Sequence, residues 1–142
     1  MEKQFIPLSA PNLKGNELAY VTEAVKTEWV STAGPYIADF EKAAAGYVHV
    51  PAACACQSGT AGLHLALKVL GIQPGEEVLV PTLTFVAAVN PVHYIGADPV
   101  FMDCDDTLTL DPKKLKRFCE EECEFDGNIL KNKTSCRKVT AL

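Results

Sequence analysis

The 142-residue sequence lacks the features that mark membrane proteins and nucleic-acid-binding proteins. It has no run of about 18 apolar residues, and its start, MEKQFIPLSAPNL, has no basic segment followed by an unbroken apolar one. Positive charge is also scarce, because 13 Lys and Arg stand against 18 Asp and Glu and leave a net charge of −5. A polyphosphate partner requires clustered Lys and Arg. The sequence therefore predicts an acidic cytoplasmic protein that binds neither nucleic acid nor membrane.

The six cysteines lack the spacing of a disulfide scaffold or of a structural zinc site. One residue separates Cys54 from Cys56, and three separate Cys119 from Cys123, whereas zinc sites favour a two-residue gap with a matching pair of His or Cys. We therefore expect reduced thiols and no metal.

Hydrophobic periodicity predicts strands that alternate with helices, the pattern of a parallel α/β sheet covered by helices. A last polar stretch before Arg137 interrupts this alternation. The predicted elements are, in order, helices over 16–26 and from Pro35 onward, a buried strand over 52–56, a helix ended by Gly71, a strand over 77–80, a helix over 84–95 disturbed by Pro91, a strand over 99–103, a helix from Asp111-Pro112 to Phe118, a hairpin around Asp126-Gly127 and a strand from Val139.

The turn Ser58-Gly59-Thr60 is the first candidate site. It connects the small-residue strand to a helix, whose first amides have no internal partner and lie at the positive end of the helix dipole. Gly59 has no Cβ to hinder an anion, and Ser58 and Thr60 add hydroxyl donors. The alternative is that Ser58 or Thr60 only caps the helix. Neither G-x-x-x-x-G-K-[ST] nor G-x-G-x-x-G occurs in the sequence, so the turn predicts a site for one phosphate group.

Phe85 is the second candidate. It follows a predicted strand at its carboxyl end, where open α/β sheets bind their ligands, and it begins a helix. Its ring could stack on a flat aromatic ligand, which contributes about 0.5–1.5 kcal/mol beyond burial. The alternative is a core position, which is common for Phe.

Five segments in this order resemble the DegT/DnrJ/EryC1/StrS aminotransferases, and the resemblance extends over essentially the whole chain. Within that family the sequence is most similar to the LegC-type branch, which aminates nucleotide-linked 4-keto-6-deoxy sugars. The segments are PLSAP (7–11), WVSTAG (29–34), SGTAGLHLAL (58–67), PTLTFVAAVN (81–90) and PVFMD (99–103).

The resemblance implies the large domain of a fold-type-I transferase that uses pyridoxal 5′-phosphate (PLP), acts as a homodimer, and takes its amino group from glutamate. Ser58, Gly59, Thr60 and Ala61 would bind the cofactor phosphate, and Phe85 would stack on the pyridine ring. The loop with Trp29, Ser31 and Thr32 would lie near the sugar-nucleotide pocket. We accordingly predict an N-terminal helical arm and active-site loop over residues 1–35 and an incomplete PLP-binding α/β domain over 36–142.

The resemblance assigns no catalytic residue to this sequence. In the family, the acid that pairs with the pyridine nitrogen and the lysine that binds the cofactor covalently come after the strand that begins at Val139, and no residue here matches them. We therefore expect an amino-terminal portion that is inactive by itself. Two alternatives remain: a non-catalytic remnant that serves as a binding module, and a sugar dehydratase of the same family with histidine in place of the lysine.

Overall fold

The computed structural model describes residues 5–142. The chain divides between Ala55 and Cys56 into two compact units. This boundary lies further along the chain than the one predicted after residue 35. The predicted division into domains stays a prediction.

The first unit contains two helices. Helix α1 (Glu17–Lys26) has the predicted extent, and α2 (Pro35–Val48) begins at the proline that suits a first turn. The predicted apolar stripe of α1 does not contact a core, because Leu18, Val21 and Val25 are 79%, 61% and 62% exposed. The ring contact between the two helices is instead made by Tyr20, which lies outside that stripe and meets Tyr36 edge to face at 6.1 Å.

The predicted buried strand over 52–56 is wrong. The segment has no regular secondary structure, and Cys54 and Cys56 are exposed. A strand requires a hydrogen-bonded neighbour, whereas the Ala55 amide donates to the Glu41 carboxylate at 2.8 Å. Small residues alone predicted burial without supplying that neighbour.

The second unit contains a five-stranded mixed sheet in the order β2-β1-β5-β4-β3. The expected α/β class is confirmed, with β1, β2 and β5 parallel and the predicted hairpin, β3 and β4, extending the sheet in antiparallel pairing. The strands are β1 (Glu77–Pro81), β2 (Asp98–Met102), β3 (Cys123–Phe125), β4 (Leu130–Asn132) and β5 (Lys138–Ala141).

Helices cover both faces of this sheet. On one face, α3 (Gly59–Val69) and α4 (Val86–Tyr94) pack against a cluster that includes Val78, Val80 and Val92. On the other, α5 (Pro112–Arg117) and a π-helical turn (Phe118–Glu122) pack on Leu79 and Val139. Strand β1 is therefore apolar on both sides, as expected for a central parallel strand.

Several predicted boundaries are confirmed. Asp111 caps α5 by accepting from the Lys113 and Lys114 amides, and Gly71 has a positive φ of 76° just after α3. Pro91 lies inside α4 and is buried, so it is accommodated within the helix and does not end it.

Two acidic residues that precede or begin β1 attach the rest of the sheet to it. Glu76 accepts from the Thr140 hydroxyl at 2.8 Å and from the Lys138 ammonium at 3.0 Å. Burial raises the pKa of this carboxyl, but hydrogen bonds from the Gln73 amide, Thr140 and Lys138 outweigh it and hold the pKa below the usual range. The neighbouring Glu77 is buried and accepts from Asn132 Nδ2 of β4 at 2.9 Å.

Candidate functional site

The start of α3 leaves two backbone amides without a partner inside the helix. Ser58 is extended (φ −158°, ψ 164°) and is the N-cap, with its Oγ accepting from the Ala61 amide at 3.2 Å. The first helical bond runs from the Gly62 amide to the Ser58 carbonyl at 3.0 Å. The amides of Gly59 and Thr60 come before it and have no partner within the helix, so they can donate to a ligand.

Ser58 therefore caps the helix, as the alternative interpretation held, but capping does not exhaust its capacity. The Ser58 Oγ uses a lone pair in the bond with Ala61, and its own hydrogen remains available for a second, external acceptor. A serine that caps its helix and donates to an anion is compatible with this geometry.

Gly59 leaves open space at the helix start. A Cβ built on Gly59 would meet no atom within 4 Å, and its φ is not in the positive range. The protein's own packing therefore does not require glycine there. The space beside Gly59 is what a ligand approaching the backbone would need.

Phe85 is exposed at the start of the helix that packs against α3. It is the N-cap of α4 with φ −72° and ψ 131°, and 79% of its surface is accessible. The core alternative for this residue is wrong. Upstream, Thr82 fixes the segment between β1 and α4, since its amide and its hydroxyl both donate to the Met102 carbonyl, at 2.8 and 2.6 Å. This anchor was not predicted from the sequence, where a Thr after a proline carries no specific signal.

The side chains of His64 and Tyr94 connect α3 and α4. The His64 ring meets Tyr94 edge to face at 5.7 Å, and His64 Nε2 is buried without a hydrogen-bond partner among the described residues. His64 is therefore packed between the two helices. It ties the helix that begins at Gly59 to the helix that begins after Phe85.

Trp29, Ser31 and Thr32 lie in the first unit, on the connection between α1 and α2. Ser31 and Thr32 are exposed, and Trp29 is 52% exposed. The structure thus brings Ser58, Gly59, Thr60 and Ala61 together and places Phe85 on the adjacent helix, while the three residues of the predicted substrate loop form a separate group.

Just after β2, the Lys114 ammonium donates to the Asp103 carboxylate. The hydrogen bond from Lys114, and then that from the Cys104 amide, hold the pKa of Asp103 below its usual range, and Asp103 raises the pKa of Lys114. The Lys114 and Asp103 side chains are 40% and 65% exposed, so solvent screens the pair and it adds little to stability. Within residues 5–142, no group of three or more His, Cys, Asp or Glu has the arrangement of a metal site. None of the helices described is long and apolar enough to cross a membrane.

The sequence matches known proteins over most of its length. Residues 11–125 match the DegT/DnrJ/EryC1/StrS aminotransferase family. The chain is 51% identical over 112 residues to the GDP-perosamine synthase of Caulobacter vibrioides, covering 78% of this chain and 30% of that protein. It is 38% identical to the UDP-4-amino-4-deoxy-L-arabinose–oxoglutarate aminotransferase of Shewanella sediminis, covering 88% of this chain and 32% of that protein.

Solved structures agree. Spr1654 of Streptococcus pneumoniae, named as a sugar aminotransferase and solved in PLP and PMP forms, superposes with a TM-score of 0.68 and 32% identity over 79% of this chain and, for the PLP form, 29% of that one. The predicted family and cofactor class agree with these relatives, and the LegC-type branch stays a prediction. The chain spans about 30% of the length of the curated relatives it matches. On the match over residues 11–125, this chain belongs to the DegT/DnrJ/EryC1/StrS aminotransferase family.

Proposed function

We propose that this chain supplies the phosphate-binding turn and the ring-stacking residue of a PLP-dependent aminotransferase. The substrate in this proposal is a nucleotide-linked 4-keto-6-deoxy sugar, and glutamate is the amino donor. The observation that carries the proposal is the open space at Gly59 beside helix amides without an internal partner. The names of the relatives support the sugar-nucleotide class, because they include a GDP-sugar and a UDP-sugar enzyme.

The phosphate role is shared by four consecutive residues. The amides of Gly59 and Thr60 point from the positive end of α3, and the hydroxyls of Ser58 and Thr60 add two more donors. Ala61 contributes indirectly, since its amide orients the Ser58 hydroxyl. These donors suit a single phosphate monoester, whose dianion they would hold by hydrogen bonds without any Lys or Arg side chain.

The ring role falls to Phe85. A Phe that is 79% exposed forgoes most of the roughly 1.5–3 kcal/mol that full burial of such a side chain gives. A flat ligand lying on this ring would recover part of that free energy through burial and offset stacking. When bound, the cofactor supplies the electron sink and the amino-group carrier, whereas this chain's residues hold and orient it.

The proposal gives binding roles alone to the described residues. It includes the expectation that the 142-residue chain binds a phosphorylated pyridine without transferring amino groups, that the enzyme is a homodimer, and that it is cytoplasmic. The exposed stripe Leu18, Val21 and Val25 on α1 supports the dimer, since a contiguous apolar surface favours a protein partner.

The test is a titration followed at individual amides by ¹H–¹⁵N NMR. Pyridoxine 5′-phosphate, pyridoxine and inorganic phosphate are added separately to the full chain, because the first has the ring and the phosphate but no aldehyde that could react with surface lysines. We expect the NMR signals of the Gly59 and Thr60 amides to shift with pyridoxine 5′-phosphate and with inorganic phosphate, and not with pyridoxine. Shifts confined to other amides would refute the phosphate role.

Two substitutions, each with a matched control, separate the phosphate from the ring. Gly59→Ala fills the open space, so we expect affinity for both phosphorylated probes to fall at least about tenfold, while Gly46→Ala, equally free of contacts on α2, leaves it unchanged. Phe85→Ala should weaken pyridoxine 5′-phosphate by about two- to tenfold and inorganic phosphate not at all. Its control is Phe125→Ala on the hairpin, which is 65% exposed. Equal losses in Phe85→Ala for both probes would refute the stacking role.

A further inference from the structure

Thr82 holds the carboxyl end of β1 to β2 with two hydrogen bonds to one oxygen. Strand β1 ends at Pro81, whose register partner on β2 is Met102. The next residue, Thr82, donates its amide at 2.8 Å and its hydroxyl at 2.6 Å to the Met102 carbonyl. A carbonyl oxygen has two lone pairs, so it can accept both bonds. Met102 is 8% exposed and packs in the core beside Leu79, so the accepting residue belongs to the packed sheet.

The hydroxyl bond is additional to what the sheet requires. At the opposite end of the same strand pair, the Asp98 amide donates to the Glu76 carbonyl at 2.9 Å, a bond between backbone atoms alone. Backbone amides and carbonyls suffice for a parallel ladder, so the Thr82 amide would complete it without the side chain. Because both Thr82 donors share one acceptor, they restrict the torsion angles of this residue. They therefore restrict the direction in which the chain leaves the sheet.

The three residues that follow Thr82 contribute little to their own placement. Leu83, Thr84 and Phe85 are all exposed. Phe85 is the N-cap of α4 but makes no side-chain cap bond, whereas Ser, Thr, Asp or Asn at that position would stabilise the helix. Phe85 thus supplies neither burial nor capping to the fold. The position of its ring is set from behind by the buried part of α4, including Val92, and from in front by Thr82.

We propose that Thr82 is a positioning residue that presents the Phe85 ring to the pyridine ring of the cofactor. The inference rests on the proposed function, because it requires Phe85 to stack on that ring. Thr82 does not contact the ligand, since the hydrogens of its amide and its hydroxyl are both donated to Met102. Preorganisation of this kind raises affinity by reducing the conformational freedom that is lost on binding. The hydroxyl of residue 82 is therefore required, and its methyl group is not.

The test is a double-mutant cycle in the full chain, with pyridoxine 5′-phosphate and inorganic phosphate titrated separately by ¹H–¹⁵N NMR. Thr82→Val removes the hydroxyl at nearly constant volume and should weaken pyridoxine 5′-phosphate about two- to fivefold while leaving inorganic phosphate unchanged. Thr82→Ser keeps the hydroxyl and should retain the affinity of the unmodified chain. In a Phe85→Ala background, Thr82→Val should change the affinity for pyridoxine 5′-phosphate by less than about 1.5-fold, because no ring remains to be positioned.

The matched control is Thr27→Val, which removes a hydroxyl that donates to the Glu23 carbonyl at 2.8 Å and should weaken neither probe. Equal weakening of both probes by Thr82→Val overturns the inference, because a general structural role would then explain the effect. So does the same loss with and without the Phe85 ring. If Phe85→Ala weakens pyridoxine 5′-phosphate and Thr82→Val does not, this inference alone fails. If Phe85→Ala has no effect, the stacking role in the proposed function fails, and the role of Thr82 fails with it.

Discussion

The hydrogen bond between Glu77 and Asn132 is the point at which a single substitution should detach the hairpin from the sheet. Glu77 is 4% exposed and Asn132 8%, and Asn132 Nδ2 donates to Glu77 Oε2 at 2.9 Å. In the strand order, β5 lies between the strands that carry these residues, so the bond spans a strand. Asn132 Oδ1 also accepts from the Thr134 and Ser135 amides, at 2.9 and 3.4 Å.

The expected cost of Asn132→Ala follows from these bonds. A hydrogen bond to a charged group is worth about 1.5–3 kcal/mol, and its loss leaves the Glu77 carboxylate buried without that donor. The two amides released by the loss of Oδ1 belong to exposed residues and can bond to water, which adds about 0.5–1 kcal/mol. The sum is about 2–4 kcal/mol. Glu77→Gln should cost under about 1 kcal/mol, because an amide oxygen accepts the same bond and the buried charge is removed.

The assay is native-state hydrogen exchange of the amides of β4 and β5, combined with urea unfolding followed by circular dichroism. Asn128→Ala is the control, because Asn128 lies in the exposed hairpin turn and its substitution should change the free energy of unfolding by less than about 0.5 kcal/mol. If Asn132→Ala is no more costly than this control, the buried bond does not hold the hairpin. If Glu77→Gln is as costly as Asn132→Ala, the charge matters and the hydrogen bond does not explain the effect.

Three further predictions concern stability. Ser58→Ala removes the α3 cap and should lower the free energy of unfolding by about 1 kcal/mol in urea titrations, in addition to weakening inorganic phosphate. Val92→Ala in α4, at a position 2% exposed, should cost about 2–3 kcal/mol from two lost methyl groups and the cavity they leave. Because the pKa of Glu76 is lowered in the folded state, its stabilisation is present above the unfolded carboxyl pKa and is lost as pH falls through the lower folded value. Unfolding measured from pH 7 to pH 2 should therefore show Glu76→Gln less stable at pH 7 and equal to the unmodified chain in acid.

The predictions from sequence succeeded where the signal was local. Gly71, Asp111 and the Asp126-Gly127 pair mark a helix end, a helix cap and a hairpin turn through their own backbone preferences, and the structure confirms all three. Strand and helix order followed from the same kind of signal. The segment over 52–56 failed because its small residues indicate burial in any context, whereas a strand also needs a neighbouring chain at hydrogen-bonding distance.

In the candidate site, too, the sequence predicted the local turn but not the features that depend on tertiary packing. The Ser58-Gly59-Thr60 turn could be located because a strand-like run, a glycine and a helical period are adjacent in sequence, and the N-cap geometry is decided within four residues. The exposure of Phe85 could not be predicted, because a Phe at a helix start is compatible with a buried core position and with a ligand contact. The structure leaves the side chain 79% accessible. The proximity of Trp29 to Gly34, where a Cβ would lie 3.1 Å from Trp29 Cε3, had no sequence signal beyond a glycine before a proline. The backbone that leads into Trp29 has a positive φ at Glu28, and no residue preference that the sequence displays encodes a positive φ at a glutamate.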